Sequence, residues 1–193
     1  SQLTFDIQET GKPLSFKWRN CKLKTVSYGH GITTTPIQLA KGYAILANGG
    51  YDIRPTLIKK EFYNFQKNRI LNKDVSSQIN KIFRKVVTHG TATLSDVEGY
   101  EVGGKTGTAQ IVENGVYTNK KINTFASVFP SSDPRFVLVI LLEDTKLSKN
   151  YIYKYRNKPG SFKGTPFNTA GWTSVEITGK IIDKIGPILA TKY

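Results

Sequence analysis

The chain has 193 residues, 38% apolar and 22% charged, enough for one domain with a packed core. Its 28 Lys and Arg against 14 Asp and Glu give a formal charge of +14, while one cysteine excludes a disulfide framework and, with two histidines, leaves too few ligands for a Cys/His zinc site. No apolar run approaches the roughly 18 residues of a membrane span, and no signal-peptide pattern opens the chain. The chain starts Ser1-Gln2 and contains no methionine, so it is expected to be a piece of a longer product. Its basic residues are spread along the whole length without a nucleic-acid motif. They read as a solvated surface, and no nucleic-acid partner is expected.

Leu3-Thr4-Phe5-Asp6-Ile7 alternates apolar and polar residues like a short strand, and residues 12–30 read as loop. Thr35 as N-cap and Pro36 at the first helical position open a helix, because proline lacks an N–H that would have no partner there. Ile37, Ala40, Ala44 and Ala47 follow at helical spacing, and Asn48-Gly49-Gly50 stops it. Arg54 to Ile58 looks extended. A second helix is predicted from Asp74 to Thr88, with Val75, Ile79, Ile82, Phe83 and Val86 as its apolar stripe and His89-Gly90 as its stop.

Beyond this helix the period falls to near 2. Strands are predicted at Glu101–Val112, Phe125–Phe129 and Phe136–Leu142, separated by turns at Asn114-Gly115 and Ser132-Asp133-Pro134. The third is apolar enough to be buried on both faces. Residues 145–170 read as a long loop whose Tyr151, Tyr153, Lys154, Tyr155 and Arg156 give a non-enzymatic reading, a basic module binding an anionic polymer through residues 146–163. A solvated loop is the plainer reading of the same residues. The last helix opens on an apparent capping box, Thr173-x-x-Glu176, carries Val175, Ile181, Ile182 and Ile185, and is weakened at Gly186-Pro187. This order predicts an α+β fold, an antiparallel sheet with covering helices.

Two motifs compete for the chemistry. Gly99 to Thr106 satisfies the phosphate-loop pattern G-x4-G-K-[ST], and Glu143-Asp144 after an apolar strand resembles a magnesium-holding acid. A nucleotide-binding protein is therefore the alternative function. Its context is unfavourable: such a loop must follow a buried strand and open a helix, whereas Gly107 to Val112 is β-branched and glycine-bearing. Lys105-Thr106-Gly107-Thr108 on an edge strand suits another reaction. Alternation separates Lys105 and Gly107 from Thr106 and Thr108, the glycine admits a close ligand, and the free edge can pair with an extended peptide. Lysine supplies charge, threonine hydroxyls hold a carboxylate, and a backbone N–H can stabilise an oxyanion. Such a strand fits acyl transfer on a peptide ending in a carboxylate.

The wider pattern resembles the class B penicillin-binding proteins, the D,D-transpeptidases of cell division, for which a Lys-Thr-Gly motif is a known mark. Tyr28-Gly29-His30-Gly31-Ile32, Thr35 to Ala40, Ala47 to Gly50, His89 to Ala92, Gly104 to Gln110, Phe129-Pro130, Asp133-Pro134-Arg135 and Ala170-Gly171-Trp172 follow in family order over some 160 residues. The segments around Thr35-Pro36 and Ala170-Gly171-Trp172 favour a transpeptidase over the serine β-lactamases that share Lys-Thr-Gly.

The resemblance implies a partial penicillin-binding, serine β-lactamase-like fold. It further implies that Lys105 sets the proton and charge balance of the site, that Thr106 and Thr108 bind the carboxylate of substrate or β-lactam, and that the Thr108 N–H forms half of an oxyanion hole beside Gly107. His30 is assigned a structural role only. No serine has lysine three positions on, so the nucleophilic Ser-x-x-Lys is absent. The second motif, Ser-x-Asn, is likewise expected upstream of Tyr28.

Residues 1–193 are thus expected to be the C-terminal portion of a transpeptidase domain, inactive alone. No metal or cofactor is implied. The implied partners are peptidoglycan stem peptides, β-lactam antibiotics and other membrane cell-division proteins. The implied location of the parent is the extracytoplasmic, periplasmic side of a bacterial inner membrane.

Overall fold

The computed structural model describes residues 22–27, 29, 32–58 and 68–192. The predicted strand Leu3–Ile7 and the residues Tyr28, His30 and Gly31 lie outside that set. In chain order the elements are α1 (Lys22–Val26), α2 (Pro36–Ala47), α3 (Lys73–Thr88), β1 (Gly103–Glu113), β2 (Val116–Phe129), β3 (Phe136–Glu143), β4 (Ile152–Lys154), β5 (Ser161–Lys163) and α4 (Ser174–Lys192). The mixture of helices and antiparallel sheet matches the α+β expectation.

The first helical starts are as the sequence specifies. Thr35 accepts from the Gln38 N–H at 3.3 Å while the Gln38 side chain accepts from the Thr35 N–H at 3.2 Å, a reciprocal cap with Pro36 at the first position. Asn72 caps α3 through the Asp74 N–H at 2.8 Å. Two expectations for this part change. Lys22–Val26 is one helical turn inside the stretch read as loop, tied by Thr25 and Ser27 hydroxyls to the carbonyls of Lys22 and Lys24. Arg54 to Ile58 forms no strand; the ladder contact here is a single bridge between Tyr51 and Arg69.

The sheet is β1-β2-β3, antiparallel throughout, with β2 in the middle. Asn114 and Gly115 both have positive φ, 51° and 80°, the paired left-handed geometry of a tight hairpin turn. Helices α2 and α3 pack on one face of the sheet and α4 on the other. On β2, Ala126 and Val128 point toward Ala47 and Phe83, while Phe125 and Phe129 join Val87, Val102, Val175 and Ile182. The strand buried on both faces is therefore β2, from Asn123 to Phe129. β3, the more apolar run, is an edge strand among the described residues and stays half-buried, with Leu141 45% exposed.

Three further details depart from the sequence reading. The stripe of α3 is narrower than predicted: Phe83 and Val87 are buried, while Val75 and Ile82 face outward. The long loop after β3 contains the β4–β5 hairpin, whose Tyr153 is 3% exposed. The Thr173 hydroxyl donates to the Thr169 carbonyl at 2.9 Å, and the Glu176 carboxylate accepts from the Tyr151 hydroxyl at 2.9 Å, so the expected capping box is not made. α4 also continues through Pro187, held on both sides of it by Ile182 and Leu189 in the core. Among the described residues no helix is long and apolar enough to cross a membrane.

β1 approaches β2 closely because of a glycine. A Cβ on Gly104 would lie 2.4 Å from the Ala126 carbonyl oxygen and 2.9 Å from the Phe125 ring. Gly104→Ala is therefore expected to lower stability by about 1–3 kcal/mol through forced displacement in a packed core, read as a reduced urea midpoint with an unchanged slope.

Candidate active site

The Lys-Thr-Gly-Thr segment lies inside β1, with Thr106 opposite Phe125 and Thr108 opposite Asn123 on β2. Alternation places Thr106 and Thr108 on the face covered by α4. Their hydroxyls confirm the direction: that of Thr106 lies 2.8 Å from the Thr91 hydroxyl, and that of Thr108 meets Asn123 and the Ala170 N–H. Lys105 points the other way, exposed, and its ammonium donates to the Thr106 carbonyl at 2.7 Å. A Cβ on Gly107 would meet open space, so the backbone there is approachable.

The two threonines line a cavity of about 540 Å³ walled by Gly90, Thr91, Thr93, Leu94, Tyr155 and Thr169 to Trp172. Chain features far apart in sequence build this wall. After α3 ends at His89, the Ala92 N–H donates to the Val86 carbonyl at 3.1 Å and turns Thr91 toward β1. Gly171 lets the last wall segment approach: a Cβ there would lie 2.8 Å from the Thr91 carbonyl oxygen. The β4–β5 hairpin supports the wall from behind. The Tyr153 hydroxyl reaches the Trp172 carbonyl at 2.9 Å, and Arg156 donates to the Leu94 carbonyl at 3.0 Å. The aromatic and basic residues once read as a polymer-binding loop are thus partly spent on internal contacts.

Beneath β1, Arg84 of α3 pairs with Asp96 at 2.6 Å and donates to the Val102 carbonyl at 2.9 Å, fixing the entry of the strand. Glu101 bonds to Ser132 across the turn before β3.

A family model described as the penicillin binding protein transpeptidase domain matches residues 2–161. The chain belongs to this transpeptidase family. It is 30% identical over 200 residues to the probable peptidoglycan D,D-transpeptidase FtsI of Caulobacter vibrioides, covering 97% of this chain and 32% of that protein. It is 34% identical over 142 residues to the peptidoglycan D,D-transpeptidase FtsI of Escherichia coli, covering 72% of this chain and 24% of that one. The chain therefore spans about a third or less of these curated relatives. Among solved structures it shares the fold of the TP domain of Burkholderia pseudomallei penicillin-binding protein 3, with a TM-score of 0.69 and 24% identity, over 89% of this chain and 47% of that one.

The phosphate-loop alternative fails against both the family and the geometry. Thr106 lies mid-strand, no helix follows it, and Ser95 to Glu98 forms a 3-10 turn and loop instead of the required strand. Although the second motif is expected upstream of Tyr28, Ser148-Lys149-Asn150 also spells Ser-x-Asn. It lies between β3 and β4, outside the cavity wall, and the Ser148 oxygen accepts the N–H groups of Asn150 and Tyr151 at 3.3 and 3.2 Å, a local turn.

Thr91, Asn123 and Ala170 touch the motif directly without having been assigned a role from sequence. His89 to Ala92 and Ala170 to Trp172 stood in the family series, so their recurrence near Lys-Thr-Gly was the available signal. Asn123 gave none.

Tyr153→Phe keeps the ring packing on Trp172, 5.1 Å between centroids, and removes only the hydroxyl. It is expected to cost roughly 1 kcal/mol and to speed amide hydrogen exchange across residues 165–172 more than in the β1–β2 ladder.

Proposed function

We propose that residues 1–193 are the C-terminal portion of a serine D,D-transpeptidase domain that cross-links peptidoglycan stem peptides. One observation carries this reading: Lys105-Thr106-Gly107-Thr108 occupies an edge strand, with both threonine hydroxyls at a walled cavity. The serine that reacts is supplied by sequence outside this chain.

In this proposal an extended stem peptide lies along β1 and is held there by main-chain hydrogen bonds. The serine oxygen attacks the carbonyl of the penultimate residue; the acyl–oxygen bond forms, the amide C–N bond breaks, and the terminal amino acid leaves with the serine's proton. The acyl group then passes to the amine of a second stem peptide and regenerates the serine. The backbone N–H of Thr108, beside the open Gly107, and the N–H of the serine itself stabilise the oxyanion. Lys105 adjusts proton and charge balance, and the hydroxyl of Thr106 meets the terminal carboxylate. β-Lactams enter as acylating mimics of the same peptide end. No metal or organic cofactor takes part.

The remainder of the domain is proposed to complete the surface on the side of β3. That strand carries a helix on each face, yet its outer edge has no partner among the described residues. In α2, a largely apolar helix, only Ala47 is buried. The parent protein is proposed to be anchored in a bacterial inner membrane with this domain on the periplasmic side, working beside other membrane proteins of cell division.

A fluorescent penicillin is the direct test. The isolated chain is expected to carry no covalent label after denaturation, and the complete domain to carry one per molecule. Lys105→Ala in the complete domain is expected to slow labelling about 100-fold or more, the scale of losing one electrostatic group at a reacting centre. A stoichiometric adduct on the isolated chain contradicts the proposal.

A further inference from the structure

We infer that the cavity between the β4–β5 hairpin and α4 is a binding site for a free aliphatic oligoamine, a methylene chain carrying separated ammonium groups. This site lies outside the transpeptidase chemistry above, and binding there needs no serine.

The cavity, of about 720 Å³, is lined by four of the chain's 14 acidic residues, Asp96, Glu98, Glu176 and Asp183. The threonine cavity has no charged residue in its lining and shares only Tyr155 with this one. Asp96 is already neutralised by Arg84 at 2.6 Å. The other three acids keep acceptor capacity. Glu176 is only 7% exposed, and its Oε1 accepts from the Tyr151 hydroxyl at 2.9 Å. Its Oε2 is buried without a hydrogen-bond donor among the described residues. A buried carboxylate oxygen left unpaired is costly, and a donor entering the cavity supplies the partner it lacks. Glu98 and Asp183 are exposed at the same cavity, and the ion pair of Asp183 with Arg156 is long, at 3.9 Å.

The cavity's own cations leave these acids incomplete. Lys180 bonds to the Tyr151 hydroxyl and lies 4.6 Å from the centre of that ring, with its ammonium 3.7 Å from Glu176 Oε1. Arg156 gives its Nε–H to the Leu94 carbonyl at 3.0 Å. Lys154 is exposed.

The spacing of the acids selects the kind of cation. Among the described residues no three His, Cys, Asp or Glu side chains converge closely enough to hold a metal ion, so one compact cation does not serve Glu98, Glu176 and Asp183 together. The ligand must carry separated charges. The lining also includes Val97, Tyr100, Ile152 and Pro187, apolar surfaces that suit methylenes and a ring face that attracts an ammonium. A peptide would bring backbone amides against these walls without partners. An oligoamine brings none.

The test titrates spermidine into the complete domain by calorimetry at constant ionic strength. This chain's formal charge of +14 repels cations overall, so saturable uptake of one spermidine reports a local acidic site. Glu176→Gln keeps an oxygen for Tyr151 and is expected to weaken binding about tenfold, the loss of one hydrogen bond to a charged group. Glu98→Gln and Asp183→Asn, at exposed positions, are expected to weaken it about threefold each, and they decide the matter if Glu176→Gln does not fold. Glu113→Gln, at the end of β1, is expected to change nothing, and butylammonium, with a single charge, to bind more weakly than spermidine. The inference is overturned by any of three results: no saturable binding of spermidine, its full displacement by magnesium at equal ionic strength, or unchanged affinity in the Glu98 and Asp183 variants. A trilysine peptide that binds more tightly than spermidine also overturns it, and assigns the cavity to a basic protein segment.

Discussion

The pairing of β1 with β2 is the constraint on which the site depends. Its register sets Thr106 against Phe125 and Thr108 against Asn123, and so decides that both threonines face α4 while Lys105 faces the other side. A slip of one residue would exchange the faces and remove both hydroxyls from the cavity. The register is held by burial on both sides of β2 and by the absence of a Cβ at Gly104, which allows contact with Phe125 and Ala126. The Lys-Thr-Gly-Thr segment is thus positioned by the core and not by its own side chains.

The cavity wall follows from the same pairing. Thr108 extends the strand's order to Ala170 through one hydrogen bond, and Asn123 extends it to Thr145 and Asn168. The β4–β5 hairpin then fastens Trp172 and Leu94 from behind. Segments at positions 91, 108, 153 and 170 meet through polar contacts at the edge of the cavity. This gives one wall of the cavity a defined shape. The exposed Lys105 and the open backbone at Gly107 remain available to a ligand.

Sequence disclosed the elements that local chemistry dictates. Thr35-Pro36 and Asn114-Gly115 each carry a short-range physical signal and formed as read, and the helix predicted over Asp74–Thr88 formed over Lys73–Thr88 with a narrower buried stripe. Partnership between distant segments was less legible. Phe136 to Leu142 looked like the buried strand by composition, yet the central place belongs to β2, whose first residues, Val116 to Lys120, are largely exposed. The β4–β5 hairpin was hidden because its three-residue strands show no period. Glu176 matched a capping box in letters but bonds with Tyr151, a partner twenty-five residues away. Lys105 to Thr108 could be singled out through motif and family resemblance; Asn123 could not, since it lies before the strand read at Phe125–Phe129 and acquires meaning only once its partner Thr108 on β1 is known.

The most direct measurement is peptide mapping of the penicillin adduct on the longest polypeptide that contains this sequence. Modification of a serine preceding Ser1, followed three positions later by lysine, is the result expected if this chain supplies the oxyanion strand and another segment the nucleophile. Modification of any serine between Ser1 and Ser174 would contradict that division of the active site.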